Sequence, residues 1–333
     1  MNKKIYLILF AVLLYTSCTE DESTNHNNEF PVVKSESSYT VMVDQDIVYA
    51  NGLSLDENIS VEMPQLLDIY YPDNTSTNRP VYMFIHGGGF QGGTKTKPEI
   101  IEMANYFASR GWVFASVDYR TTSDLDGSNF TGIASQEWID FTHQNAASPD
   151  EARTSIAMYA AQRDAKAALR WMVTNSNTYQ MNTDFITVGG ASAGAISTIT
   201  LGISNQEDFK DEIPLADDPT LSTTNLETTY EVKCMVDFWG SNVKLDLLQS
   251  VYNINRYDSN DPELFIAHGT LDPTVLFSEG EELDSIYSSL GIYHEFVPLN
   301  DKGHGAWNAT VEGKSLSEMT FDFLVERQNL KVE

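Results

Sequence analysis

Apolar positions along this chain fall into short, nearly unbroken runs separated by polar stretches of helical length. Val81–Ile85, Trp112–Val117, Phe185–Val188, Val232–Phe238, Glu263–Ala267 and Tyr293–Val297 are the clearest runs. Runs of this length, bounded by turn formers, predict strands buried on both faces of a sheet. Helical periodicity covers Pro98–Arg110, with Gly111 as its stop, then Glu151–Thr174, Val275–Leu290 and Glu312–Gln328. Tyr39–Tyr49 and Gln65–Tyr71 alternate instead, which predicts an antiparallel edge pair closed by Pro72-Asp73-Asn74. Strands alternating with helices mean an α/β fold, with a mostly parallel central sheet and helices on both faces. There is no internal repeat and no second apolar core, so a single folded domain is expected over residues 39–333.

Two stretches break the alternation. Thr121–Asp150 is polar and irregular but carries Phe130, Trp138 and Phe141, and Asn205–Glu231 is irregular and acidic. Loops this long in a compact domain are functional or disordered. The embedded aromatics favour lid-like insertions beside a site.

Composition narrows the partners. Against 20 basic residues stand 48 acidic ones, a net charge of −28. Phosphate binding needs clustered Lys and Arg, so nucleic acid is excluded as a partner, and adsorption to anionic lipid is disfavoured. At the N-terminus, Asn2-Lys3-Lys4 precedes the apolar run Ile5–Leu14, which is too short to span a bilayer and reads as a secretory signal. The following Leu14-Tyr15-Thr16-Ser17-Cys18 resembles a bacterial lipoprotein signal, in which cleavage leaves the cysteine as a lipidated N-terminus. That resemblance implies a signal peptide over 1–17, lipidation at Cys18 and a flexible tether over 18–38. The acidic run Glu20-Asp21-Glu22 resembles the surface-export signal of some Gram-negative lipoproteins. The expectation is an exported protein on the outer membrane, exposed at the cell surface and held only by its lipid. Cys234 then has no disulfide partner and reads as an inert core residue.

Candidate chemistry centres on Asp184–Ile203. A buried strand turns through Gly190-Ala191-Ser192-Ala193-Gly194 into a helix, the G-x-S-x-G spacing. Small neighbours leave room for a strained serine, and the helix N-terminus favours negative charge beside it. Serine needs a base and a carboxylate to become a nucleophile. His304 lies in Gly303-His304-Gly305, after the last predicted strand, and is the best base of six histidines. His26 falls in the tether, His143 in the first insertion, and His294 within a strand. Asp272, in His268-Gly269-Thr270-Leu271-Asp272-Pro273, lies just beyond a strand's C-terminal end, the edge where open α/β sheets place their sites. Asp301 is too near His304 in sequence to be presented from a separate strand.

The order Ser192, Asp272, His304 resembles the α/β-hydrolase fold. His86-Gly87-Gly88-Gly89-Phe90, Gly190–Gly194, His268–Pro273 and Gly303–Trp307 match its motifs in order, and Leu67–Pro72 extends the match. The chain looks closest to bacterial carboxylesterases and lipases, particularly feruloyl or acetyl-xylan esterase-like enzymes. The resemblance implies an oxyanion hole from the N–H groups of Gly88, Gly89 and Ala193, with His86 shaping the loop and Asp118-Tyr119-Arg120 structural. It implies a serine esterase that needs no metal or organic cofactor and acts on a small-molecule or polysaccharide-linked ester. The alternatives are a serine peptidase of the prolyl-oligopeptidase type and a non-catalytic hydrolase-fold binding protein. Such peptidases usually add a propeller domain, for which the tether leaves no room, and such binding proteins typically lose a triad member.

Overall fold

The computed structural model describes residues 30–210 and 212–333. The signal segment 1–17, Cys18 and the tether up to residue 29 lie outside them. In chain order the elements are β1 (Val32–Val33), β2 (Val41–Asp56), β3 (Ile59–Pro72), β4 (Arg79–Ile85), α1 (Pro98–Ala108), β5 (Val113–Val117), α2 (Gln136–Asn145), α3 (Pro149–Thr174), α4 (Ser176–Tyr179), β6 (Met181–Ala191), α5 (Ala193–Ile203), β7 (Cys234–Phe238), α6 (Val243–Tyr252), β8 (Glu263–Gly269), α7 (Phe277–Leu290), β9 (His294–Leu299), β10 (Thr310–Val311), β11 (Lys314–Ser315), α8 (Leu316–Arg327) and β12 (Lys331–Val332).

Eight strands make one sheet in the order β2-β3-β5-β4-β6-β7-β8-β9. The β2–β3 and β3–β5 pairings are antiparallel and the remaining five are parallel. Every residue of β4, β5 and β7 is buried, as their unbroken apolar runs require. One core lies under α3, α5, α6 and α7, and a second, rich in aromatic rings, lies under α1 and α8. Each of the six apolar runs between Val81 and Val297 forms a strand. The edge hairpin is longer than its alternation suggested, because Glu57 and Asn58 both take positive φ and close a two-residue turn. Helix α6 has no counterpart among the expected helices.

Two expectations change. The folded part begins well before residue 39. β1 pairs in parallel with β12, Val33 is buried, and the Ser38 and Tyr39 N–H groups both donate to the Ser109 carbonyl. Pro31 and Val33 supply the apolar contacts that polar neighbours hid. The expected lids are also built into the body. Leu125, Ile133 and Trp138 are buried in the first core, and α2 is capped by the Ser135 side chain. Phe209, Ile213 and Leu221 join the same core from the second insertion. Among the described residues, no helix is long and apolar enough to cross a membrane.

Candidate active site

Four loops converge at the C-terminal edge of the parallel strands: those after β4, β6, β8 and β9. The turn from β6 into α5 carries Ser192 at φ 54° and ψ −122°, strained for any residue with a side chain. Its neighbours explain how the strain is held. A Cβ on Gly190 would stand 2.3 Å from the Gly194 carbonyl carbon, and one on Gly194 would stand 2.0 Å from the Ile85 oxygen. Only glycine permits strand, turn and helix to approach this closely. The Ser192 N–H donates to the Phe238 carbonyl (2.9 Å), tying the turn to β7.

His304 Nε2 lies 2.9 Å from Ser192 Oγ, and His304 Nδ1 lies 2.7 Å from Asp272 Oδ2. A carboxylate only accepts, so Nδ1 carries the proton and Nε2 is free to receive the serine's. Asp272 is fixed from its other side, where Oδ1 accepts the N–H groups of Thr274 (2.8 Å) and Val275 (3.1 Å). Its side chain is fully buried, while that of His304 is 23% exposed. The imidazole thus bridges a dry carboxylate and a hydroxyl open to a ligand.

The loop after β4 runs beside the serine, since a Cβ on Gly87 would stand 3.1 Å from Ser192 Cβ. Gly88 and Gly89 take φ of +134° and +64°, which turn the peptide planes of the loop. The N–H groups of Gly88, Gly89 and Ala193 donate to no acceptor among the described residues. Three free donors near a serine Oγ can hold an oxyanion. His86 serves the loop. Its Nδ1–H donates to the Gly87 carbonyl (2.7 Å), its ring stacks on Tyr119 at 4.3 Å, and Tyr119 Oη donates to the His86 carbonyl. Arg120 grips Asp164 of α3 with two nitrogens, so Asp118-Tyr119-Arg120 braces the site from below.

With this geometry in view, the BD-FAE family model matches residues 67–148 and 131–253, more than half of the chain. The chain belongs to the BD-FAE family. It is an esterase-like α/β-hydrolase family, and carboxylic-ester hydrolysis is its class of reaction. The fold is shared with esterase 2 of Thermogutta terrifontis phosphorylated by paraoxon, at TM-score 0.58 and 22% identity, covering 85% of this chain and 94% of that one. A truncated carbohydrate esterase from gut microbiota superposes at TM-score 0.56 and 19% identity, covering 90% of this chain and all of that one. Neuroligin-like protein glit-1 of Caenorhabditis elegans is 28% identical over 184 residues, 54% of this chain. That match spans only 18% of the relative's length.

Two residues shape the BD-FAE site in ways to which the sequence reading gave no role. His268 lies behind Asp272, with Nε2 donating to the Val275 carbonyl (2.9 Å) and standing 3.6 Å from Asp272 Oδ2. Burial lowers its pKa, so it stays neutral and shapes the acid's loop. Trp239 follows β7 at φ 47° and sets its ring edge-on to His304, 6.4 Å between centroids. Trp307 meets Trp239 at 88°, completing an aromatic wall behind the base. His268 stands in a motif that the sequence did reveal. Nothing local marks Trp239, because only the fold brings β7 beside the last loop. Among the described residues no group of three or more His, Cys, Asp or Glu could hold a metal ion.

Proposed function

We propose that this protein is a serine carboxylic-ester hydrolase that works through an acyl-enzyme on Ser192. The observation that carries the reading is the continuous chain from Ser192 Oγ through His304 to the buried Asp272. His304 takes the hydroxyl proton as Oγ attacks the ester carbonyl, and Asp272 stabilises the imidazolium that forms. Negative charge on the carbonyl oxygen meets the N–H groups of Gly88, Gly89 and Ala193. His304 then returns the proton to the leaving alcohol. Water attacks the acyl-enzyme by the same route in reverse, with His304 again as base.

The substrates we favour are acetyl or feruloyl esters on extracellular polysaccharide. The carbohydrate esterase with the same fold supports this choice, and export as a lipoprotein lipidated at Cys18, which we propose from the N-terminal sequence, fits it. Membrane contact would come only through that lipid.

The test compares the purified protein with Ser192→Ala on p-nitrophenyl acetate, butyrate and octanoate, and on acetylated and feruloylated xylan. Wild-type turnover that falls by roughly a millionfold in the variant is expected. A folded wild type inert on every ester overturns the esterase reading in favour of a peptidase or a binding protein. Activity that survives Ser192→Ala means another nucleophile, and free esters cleaved without release of acid from xylan overturn the polysaccharide assignment.

A further inference from the structure

Beneath the elbow lies a buried amine that the chemistry above does not use. Lys244, in the first turn of α6, is fully buried, as are Gln162 of α3 and Ser197 of α5. Its Nζ donates to Gln162 Oε1 (2.8 Å) and Ser197 Oγ (2.9 Å), and it faces the Phe90 ring at 4.8 Å. The amine thus meets two oxygen acceptors and the face of a ring. Ser197 Oγ in turn donates to the carbonyl of Ala193 (3.1 Å), and Gln162 Nε2 donates to the Ser197 carbonyl (3.3 Å).

These contacts reach both sides of the oxyanion pocket. Phe90 is the residue after Gly89, held at φ 59° with its ring buried and its carbonyl accepting the Thr122 N–H (2.8 Å). Ala193 is the donor on the opposite side. We propose that Lys244 is a positioning residue, whose amine clamps the two halves of the oxyanion pocket, one through the Phe90 ring and the other through Ser197. The proposal rests on the esterase reading and deepens it. Among the described residues no carboxylate pairs with Lys244. Burial pushes its pKa well below the usual lysine range, so the fold gains no ion-pair stability from keeping an amine there. A methionine of similar length fills the space without that penalty.

The experiment measures kcat, KM, melting temperature and inhibition by phenylboronic acid for wild type, Lys244→Met, Phe90→Leu and the double variant. Phenylboronic acid adds to the serine as a tetrahedral anion, so its affinity reads the oxyanion pocket directly. Loosening the pocket is expected to lower kcat by about 10- to 100-fold, with KM within about twofold. Boronate affinity falls in parallel and the melting temperature is equal to or above that of the wild type. The double variant falls no further than the weaker single one, because both break the same clamp. A Lys244→Met protein with wild-type kcat and boronate affinity overturns the proposal, whatever its melting temperature. So do fully additive losses. Should Lys244→Met fail to fold, Ser197→Ala carries the test, since it cuts the link to Ala193 while removing a single oxygen. An unchanged kcat there overturns the proposal, and a loss of about tenfold or more supports it. A wild type inert on esters, or one indifferent to Ser192→Ala, sinks the esterase reading instead.

Discussion

Residues 121–148 and 205–231 both depart from the strand–helix alternation, and different balances of apolar and charged contact hold them to the same body. The first is fastened by apolar side chains. Leu125, Phe130, Ile133 and Trp138 enter the core, and Trp138 meets the rings of Tyr159 and Phe209. The second also sends Phe209, Ile213 and Leu221 into that core, but it adds charged contacts that the first lacks on this scale. It lies along α3, whose residues 159–170 are buried on every side, and supplies partners for the cations there. Asp218 pairs with Arg163 (3.0 Å), the Asp208 carbonyl accepts from Lys166 (2.8 Å), and the Thr224 carbonyl accepts from Arg170 (2.8 Å). Apolar burial tolerates imperfect partners, whereas a buried charge does not. The acidic segment is therefore the more brittle of the two, although it looks the more soluble.

The largest test of that contrast is Asp218→Ala. Leaving Arg163 buried without its carboxylate costs about 3–5 kcal/mol. Loss of the Asp218 cap on the Thr220 N–H adds about 1 kcal/mol. Urea unfolding measures the sum. Replacing both partners, Arg163→Met with Asp218→Leu, should recover most of the loss, since no lone charge remains. If Asp218→Ala unfolds within about 1 kcal/mol of wild type, charge does not hold the second segment.

Trp138→Ala comes next, at about 3–5 kcal/mol for a buried indole whose Nε1–H also donates to the Ser155 carbonyl. Its value lies in separating a lid from a fixed wall. A fixed wall loses melting temperature first, while kcat at temperatures below the transition stays near wild type. A lid hinged on Trp138 would show the reverse, with altered kcat and unchanged melting.

The same contrast decides what the sequence could reveal. Strands β4 to β9 were legible because each is an apolar run with one reading, and the spacing of glycines marked the Ser192 elbow. Asp272 and His304 were legible because each follows such a run, and the structure brings their side chains together with that of Ser192. Helix α3 was readable as a helix but not as a buried one. Arg163, Lys166 and Arg170 look like a solvated face until Asn205–Glu231 covers them. Lys244 and Trp239 were hidden for a related reason, because their roles arise from contacts between segments far apart in the chain. β1 was lost among polar residues because its partner, β12, lies at the other end of the sequence.

The smallest effect belongs to Lys166, and pH exposes it. Its Nζ is buried among the carbonyls of Asn205 and Asp208, and burial lowers its pKa to about 7. An unfolded lysine keeps an ordinary value near 10.4. Between those two values the unfolded chain binds the extra proton, so this group makes the wild type more stable as pH rises from about 7. Below about 7 both states are protonated and the penalty of the buried charge is complete. Lys166→Met has no such proton. The stability of the variant relative to wild type should therefore be highest near pH 6 and decline by about 2–3 kcal/mol by pH 9, at up to about 1.4 kcal/mol per pH unit. Taking the difference between the two proteins removes every other titrating group they share. The two carbonyls left without a donor set the absolute level of the difference but not its slope. A pH-independent difference would mean that Lys166 keeps an ordinary pKa, and that the acidic segment neutralises its charge more fully than burial raises its cost.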